Sequence, residues 1–452
     1  MHWTVKVEGG PRRVNHAAVE LNGLIYSFGG YCSGEPYEGN EPIDVHVLDT
    51  GESFYVLRGR IRYSLTTFYQ PTFYFSSFAE TYRWRKLNVH CEEPMDTGSS
   101  ATTQPIITPY QRYGHTVVAY KGKAYLWGGR NDEHGASAQM HIFDPETCSW
   151  SLVERNGPCP PARDGHSAVV VDDTMYVFGG FEEESQRFAF ELFQLTGVCC
   201  KFYRFDAVHP FHRLCAPSFR FSRETYAFDL QTHQWSEIRT TGVAPQWRDF
   251  HTACAINNKM YVFGGRSDQL GQFHSSRDLY CDRLKVLDLK TTQWYEPNVT
   301  GDRPSGRRSH SAWTHNGRMY IFGGYLGTIN QHLGDLYEYD PTASNWRRLY
   351  PFGEGPSPRR RQCTVLVNDR LFLFGGTMPR KTAKLDPNES GLSDLSDLYV
   401  LDYKPTLKSL AAVAVVENRL YDSSANILPR ELRQELMLMT QPNKITLPRH
   451  DG

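Results

Sequence analysis

Along most of the chain, hydrophobic and polar positions alternate over short runs that end at glycine. A period of two over so short a span predicts β-strands joined by tight turns. One run recurs six times ahead of a Gly-Gly pair: LIYSFGG (24–30), AYLWGG (124–129), MYVFGG (175–180), MYVFGG (260–265), MYIFGG (319–324) and LFLFGG (371–376). Ahead of each, a second strand is expected. It is introduced by an Arg three residues before a His, in RVNH (13–16), RYGH (112–115), RDGH (163–166), RDFH (248–251) and RRSH (307–310). RRQC (360–363) reads as the sixth version, with Arg360 kept and Cys363 in the His position. After each Gly-Gly comes an alternating strand such as DVHVLD (44–49) or DLYVLD (397–402), and then a Trp, at positions 84, 150, 235, 294 and 346.

Four short strands bury too little apolar surface to be stable alone, and stacking such sheets radially removes their exposed edges. Glycine pairs suit the joints, where the chain turns with positive φ and neighbouring backbones approach closely. The sixth unit lacks its Trp strand, and WTVKV (3–7) supplies one from the other end of the chain. The expected fold is therefore all-β: a six-bladed propeller over residues 1–403, closed by the N-terminal strand. A helical segment over 404–440 and a flexible tail over 441–452 follow it. Throughout 1–403 the pattern resembles the Kelch family. Successive Gly-Gly pairs lie 51, 59 and 52 residues apart in three intervals but 99 and 85 in the other two. Irregular insertions are expected near 51–80 and 189–222, both rich in Phe, the first also in Tyr and Ser and the second in Cys.

In an up-and-down blade, the start of the first strand and the exit of the second share one rim. The Arg-x-x-His segments and the residues after Gly-Gly must therefore converge. That rim gathers Arg13, Arg112, Arg163, Arg248, Arg307, Arg308, Arg360 and Arg361 with Tyr31, Arg130, Arg266 and Tyr325. A cationic funnel with aromatic walls suits a small anion such as a peptide carboxylate, for which Arg offers forked donors. The chosen ligand candidates are Arg130, Arg248, Arg266, Arg308, Ser309, Trp247, Tyr113 and Tyr325. The competing reading is that individual Arg residues brace adjacent blades and that each His holds a backbone carbonyl.

Charge narrows the partner. Lys plus Arg number 49 against 50 Asp plus Glu, and there is no basic stripe beyond the rim, so nucleic acid is not an expected partner. MHWTVKVEGGPRRV has no signal-peptide core, and no run approaches the roughly 18 apolar residues of a membrane span. Ten scattered cysteines lack the spacing of a disulfide framework. Cys199, Cys200, His209, His212 and Cys215 are zinc-capable types without a pair-of-pairs spacing, and no metal site or cofactor is expected. The repeated His and Asp residues recur by blade, and no nucleophile–base pair stands out, so the expectation is a non-enzymatic binding protein.

After LYVLDYKP (398–405) the period becomes helical. Leu407, Leu410, Ala411, Ala414 and Val415 share one face, and a second helix is expected after ILP, with Pro429 in its first turn and Leu432 and Leu436 repeating. Thr406, Leu407, Ala411 and Val415 are similar to the elongin-binding box of ubiquitin-ligase receptors, Ala411 standing where Cys is usual. Leu428, Pro429, Leu432 and Leu436 resemble a cullin-2 box. With EGGPRRVNHAAV, SFGGYCSGE, WGGRND and RDFH, the whole arrangement resembles Kelch-type substrate receptors of cullin-2 RING ubiquitin ligases. That resemblance implies elongin B/C and cullin-2 as partners, with substrate proteins ending in glycine bound at the rim for ubiquitination and proteasomal degradation. It also implies a cytoplasmic and nuclear location. The chain itself ends in HDG, so Gly452 is expected to be able to occupy the same pocket. The alternative is a Kelch scaffold for cytoskeletal or chromatin partners, with a tail that merely packs.

Overall fold

Tight turns with left-handed backbone set the strand register. Asn22-Gly23, Lys121-Gly122, Asn257-Asn258 and Asn316-Gly317 all have positive φ and join the first two strands of their sheets. Such turns match the right-handed twist of the strands they connect. A computed structural model of the chain describes residues 1–33, 41–51, 82–89, 107–183, 219–380, 391–420 and 428–445. Gly452, Cys199, Cys200, His209, His212, Cys215 and nearly all of both irregular segments lie outside these residues.

The first sheet runs Ala17–Leu21, Leu24–Phe28, Val45–Asp49, Trp84–Lys86, antiparallel in that order. The same four-strand order recurs in sheets led by Tyr113–Tyr120, Ser167–Val171, Thr252–Ile256, Ser311–His315 and Cys363–Val367. In the last of these the fourth strand is His2–Val7, paired with Leu398–Asp402. The leading strands touch in cyclic order, the last against the first.

Each fourth-strand Trp packs on the aromatic that precedes Gly-Gly in the sheet before it. Trp150 meets Phe28 at 5.6 Å between ring centroids, Trp235 meets Trp127 at 5.3 Å, Trp294 meets Phe178 at 5.1 Å and Trp346 meets Phe263 at 5.5 Å. Trp84 meets Phe374 at 4.9 Å, and Trp3 takes the remaining position against Phe322 at 6.4 Å. These tilted and edge-on pairs are the favoured aromatic geometry.

The glycine pairs form the joints. The second glycine donates to the carbonyl of the Arg that leads the next sheet: Gly30 to Arg112 at 2.8 Å, Gly180 to Arg248 at 2.8 Å, Gly265 to Arg307 at 2.8 Å, Gly324 to Arg359 at 2.8 Å and Gly376 to Arg13 at 2.9 Å. That Arg is buried and folds back to its own sheet. Arg112, Arg163, Arg248, Arg307 and Arg359 each donate to the carbonyl of the first glycine, 16 residues on. The His packs its ring edge against the preceding sheet's first glycine, and His115 Nε2 bonds the Phe28 carbonyl at 3.1 Å. Burial and the adjacent Arg push His16, His115 and His251 down to about 3, which keeps these rings neutral.

This geometry corrects the sixth unit. Its bracing residue is Arg359, not Arg360, and the His position is Gln362, whose Nε2 donates to the Phe322 carbonyl at 3.1 Å. Cys363 belongs to the following strand. The second irregular segment also ends earlier than expected. Phe219–Phe221 pairs with Phe181–Glu183, because Arg220 reaches the buried Glu182 and Ser222 bonds Gly180 and Arg163.

Helix α1 (Leu407–Glu417) is capped by Thr406, whose Oγ1 accepts from Ser409 N at 3.1 Å, and α2 (Arg430–Thr440) starts after Pro429. Ala412, Val413, Leu436 and Met439 pack into the cluster formed by Val5, Val7, Trp84 and Val365. No helix among the described residues is long and apolar enough to cross a membrane.

At Gly264 the backbone φ is +70°, and an added Cβ would sit 2.5 Å from the Arg307 carbonyl and 2.6 Å from the His310 ring. Gly264→Ala is expected to destabilise the fold by about 1–3 kcal/mol through overpacking plus backbone strain. Urea unfolding measures this, and an unchanged midpoint would remove the joint from the account.

Candidate functional site

Above the joints, the residue following each bracing Arg pairs with the residue following Gly-Gly. The pairs are Val14 with Tyr31, Tyr113 with Arg130, Asp164 with Phe181, Asp249 with Arg266, Arg308 with Tyr325 and Arg360 with Thr377. One position further along, Asn15, Gly114, Gly165, Phe250, Ser309 and Arg361 all have positive φ. Their backbones form a circle of hydrogen bonds in which each N–H donates to the neighbouring carbonyl: Gly114 to Asn15, Gly165 to Gly114, Phe250 to Gly165, Ser309 to Phe250, Arg361 to Ser309 and Asn15 to Arg361, at 2.7–3.2 Å. A cavity of about 670 Å³ opens at this circle, and one of about 120 Å³ lies among the His rings and the Gln362 amide.

The funnel brings together Tyr113, Arg130, Arg266 and Arg308 from the expected residues, and adds Tyr31, Asp164, Asp249, Phe250 and Arg361. Ser309 lines the smaller cavity, and Tyr325 lies beneath the Arg360 guanidinium at 4.2 Å. Arg248 is not available to a ligand. It is 2% exposed and spends its guanidinium on the carbonyls of Gly264 and Gln246, at 2.7 and 3.0 Å. Trp247 does not line the funnel; its ring faces Arg223 at 5.8 Å.

Charge is distributed unevenly round the wall. Asp249 takes Arg266 through two hydrogen bonds, at 3.1 and 2.5 Å. Against the burial that would lower it, this carboxylate holds the guanidinium above its ordinary value. Tyr113 donates to Asp132 at 2.7 Å, and Arg130 Nε lies 3.9 Å from the same carboxylate. Arg308, Arg360 and Arg361 form the opposite pole. Among the described residues none of the three has a carboxylate within 4.0 Å, and Arg361 donates to the Tyr31 hydroxyl. Burial, followed by repulsion from Arg361 and Arg308, lowers Arg360 to about 10. A bound anion offsets that repulsion, and a planar carboxylate matches the guanidinium fork.

On the tail, Leu407 is 87% exposed, Ala411, Ala414 and Pro429 are exposed, and Val415, Leu428 and Leu432 are half-buried. Leu436 belongs to the core, 5% exposed, so it anchors α2 and is not free for a partner. Among the described residues no group of three or more His, Cys, Asp or Glu is placed to hold a metal ion.

A model of the KLHDC2/KLHL20/DRC7 Kelch-repeats domain matches residues 51–196 and 217–376. Kelch domain-containing protein 3 of Bos taurus is 39% identical over 448 residues, covering 99% of this chain and 98% of that protein. The Homo sapiens protein of the same name matches to the same extent. The solved structure of YjhT aligns with a TM-score of 0.52 and 16% identity over 87% of this chain and 96% of that one, a likeness of fold.

Asp164 gives the site a pH signature. Burial pushes its carboxyl up to about 7, despite Arg130 nearby. An unfolded Asp titrates near ~3.9, so the folded state holds this proton more tightly. Its contribution to stability is present below about pH 4 and is lost as pH rises toward 7. Asp164→Asn is expected to gain stability over the native chain at pH 8 relative to pH 5, read by thermal unfolding. Parallel pH profiles for the two proteins would contradict this.

Proposed function

Because the chain belongs to the Kelch-repeat family, a family of protein-interaction repeats, we propose that its six sheets are the blades of one closed propeller acting as the substrate-recognition subunit of an elongin–cullin-2 RING ubiquitin ligase. In this reading the funnel takes the C-terminal carboxylate of proteins ending in glycine, and α1 and α2 dock elongin B/C and cullin-2, leading to ubiquitination and proteasomal degradation of the bound protein. The chain supplies recognition, and the partners supply the chemistry.

The observation that carries the reading is the pole of Arg308, Arg360 and Arg361, three half-buried guanidiniums with no carboxylate partner among the described residues. Buried cations are ordinarily paired. Tyr31, Tyr280 and Tyr325 stand beside them, with Arg308 5.4 Å from the Tyr325 ring and 5.9 Å from that of Tyr280. Such a wall supports a carboxylate approached by a peptide backbone better than a polyanion, because the neighbouring wall carries Asp132, Asp164 and Asp249.

The tail supports the second half. The α1 face that carries Leu407, Ala411 and Ala414 is turned to solvent, while Ala412 and Val413 face the sheets. An 11-residue helix that is apolar on its outer face as well as its inner one offers surface to a partner. Thr406 caps it and fixes where the face begins.

Two measurements test this. Elongin is expected to co-purify with the native chain and to be lost with Leu407→Asp; its absence from both preparations would leave a Kelch scaffold for other partners. Arg308→Ala is expected to weaken binding of a glycine-ended peptide by about 1.5–3 kcal/mol, the range for a charged hydrogen bond, with the unfolding midpoint unchanged. Arg248→Ala is expected to lower stability instead, by a similar amount, since it removes a buried brace. Equal losses of peptide affinity in the two variants would contradict this assignment.

A further inference from the structure

Six residues form the hydrogen-bonded circle at the base of the funnel, and all have left-handed backbone: Asn15 at φ 52°, Gly114 at 67°, Gly165 at 64°, Phe250 at 48°, Ser309 at 54° and Arg361 at 65°. Glycine and asparagine adopt this conformation readily, whereas a bulky aromatic does so only where its surroundings hold it. Phe250 is held on both sides. Its N–H donates to the Gly165 carbonyl at 2.7 Å, and its own carbonyl accepts from Ser309 N at 2.9 Å.

The Phe250 ring is not a core side chain. It is half-buried and lines both the funnel and the smaller cavity below, so it stands at the partition between them. The two positions before it in the circle, Gly114 and Gly165, have no side chain. A Cβ added at Gly165 would lie 3.4 Å from Phe250 Cδ2, so the ring leans over the glycine. One half of the throat is therefore polar, built from Asn15, Ser309 and Arg361, and the other is closed by a single aromatic ring.

We propose that Phe250 is the specificity-determining floor of the funnel: it limits the last residue of a bound polypeptide to one without a side chain. The inference rests on the carboxylate-binding reading above. With the carboxylate drawn to the arginine pole, the last Cα lies near the base of the funnel, and a Cβ on that residue presses on a ring whose backbone is fixed from both sides. Discrimination against one added methyl group by a packed surface is about tenfold or more.

The test is a fluorescence binding titration of two synthetic peptides identical except for a terminal Gly or Ala, against the native full-length chain and Phe250→Gly. Glycine suits a φ of +48°, so the variant keeps the circle while opening the floor. The native protein is expected to prefer the Gly peptide by about tenfold or more, and Phe250→Gly to reduce that preference to about twofold or less through tighter binding of the Ala peptide. Phe250→Asn, which places in this position the residue type of Asn15, is expected to behave alike and guards against a folding defect in the first variant. If both variants bind the Gly peptide and keep the native preference, Phe250 is not the floor. If the native chain binds neither peptide, the carboxylate reading fails and takes this inference with it.

Discussion

Everything in this protein hangs on the joint between one sheet and the next. The second glycine of a Gly-Gly pair donates its N–H to the carbonyl of the following sheet's leading Arg, whose side chain returns to the carbonyl of the first glycine in its own sheet. Both glycines are needed for separate reasons. At Gly179 an added Cβ would meet the His251 ring and the Arg248 carbonyl of the next sheet, at 2.8 and 3.0 Å; at Gly180 it would meet Asp164 and His166 within the same sheet, at 2.9 and 3.0 Å. Paired backbone groups and charge-assisted bonds from Arg to carbonyl satisfy the main chain of the joint, as stability in a dry interior requires.

Because the joint uses only the Arg, the His and the glycines, the two residues between Arg and His are free to vary. Their places are nonetheless fixed, one pairing with the residue after Gly-Gly and the other in the hydrogen-bonded circle. A stiff scaffold thus places independently variable positions round one funnel, seven of which line it: Asn15, Tyr113, Asp164, Asp249, Phe250, Arg308 and Arg361. In this chain they separate into an arginine pole at Arg308, Arg360 and Arg361 and a wall where Asp249 neutralises Arg266. Polarity of that kind orients a ligand as well as attracting it.

Much of the fold was legible in the sequence because its signals are periodic. Six Gly-Gly runs, a Trp strand after five of them and WTVKV at the start lead to six sheets with Trp3 in the last, and that pairing is observed. The helical character of 407–417 was legible from its spacing, whereas the residues that the helix buries, Ala412 and Val413, lie off the face that spacing picks out. Bracing and funnel-lining arginines were harder to separate, since both occur in the same short segment. Arg248 has the sequence features of a ligand residue although it is a brace, and in PRRRQ three consecutive Arg residues hide that the brace is Arg359. A signal that resolves it was present: each brace lies 16 residues before the first glycine of its pair, which selects Arg359, while Arg361 lines the funnel and Arg360 lies over the Tyr325 ring. Phe219–Phe221 had no such signal, because its partner strand lies beyond a long interval and its register depends on the Arg220–Glu182 contact.

The central claim is that the arginine pole takes a terminal carboxylate. Isothermal titration calorimetry with a glycine-ended peptide and its C-terminally amidated twin tests it most directly, since the two differ only in that charge. Binding of the acid with a loss of about tenfold or more on amidation is the expected result. Equal affinity for acid and amide would contradict the account.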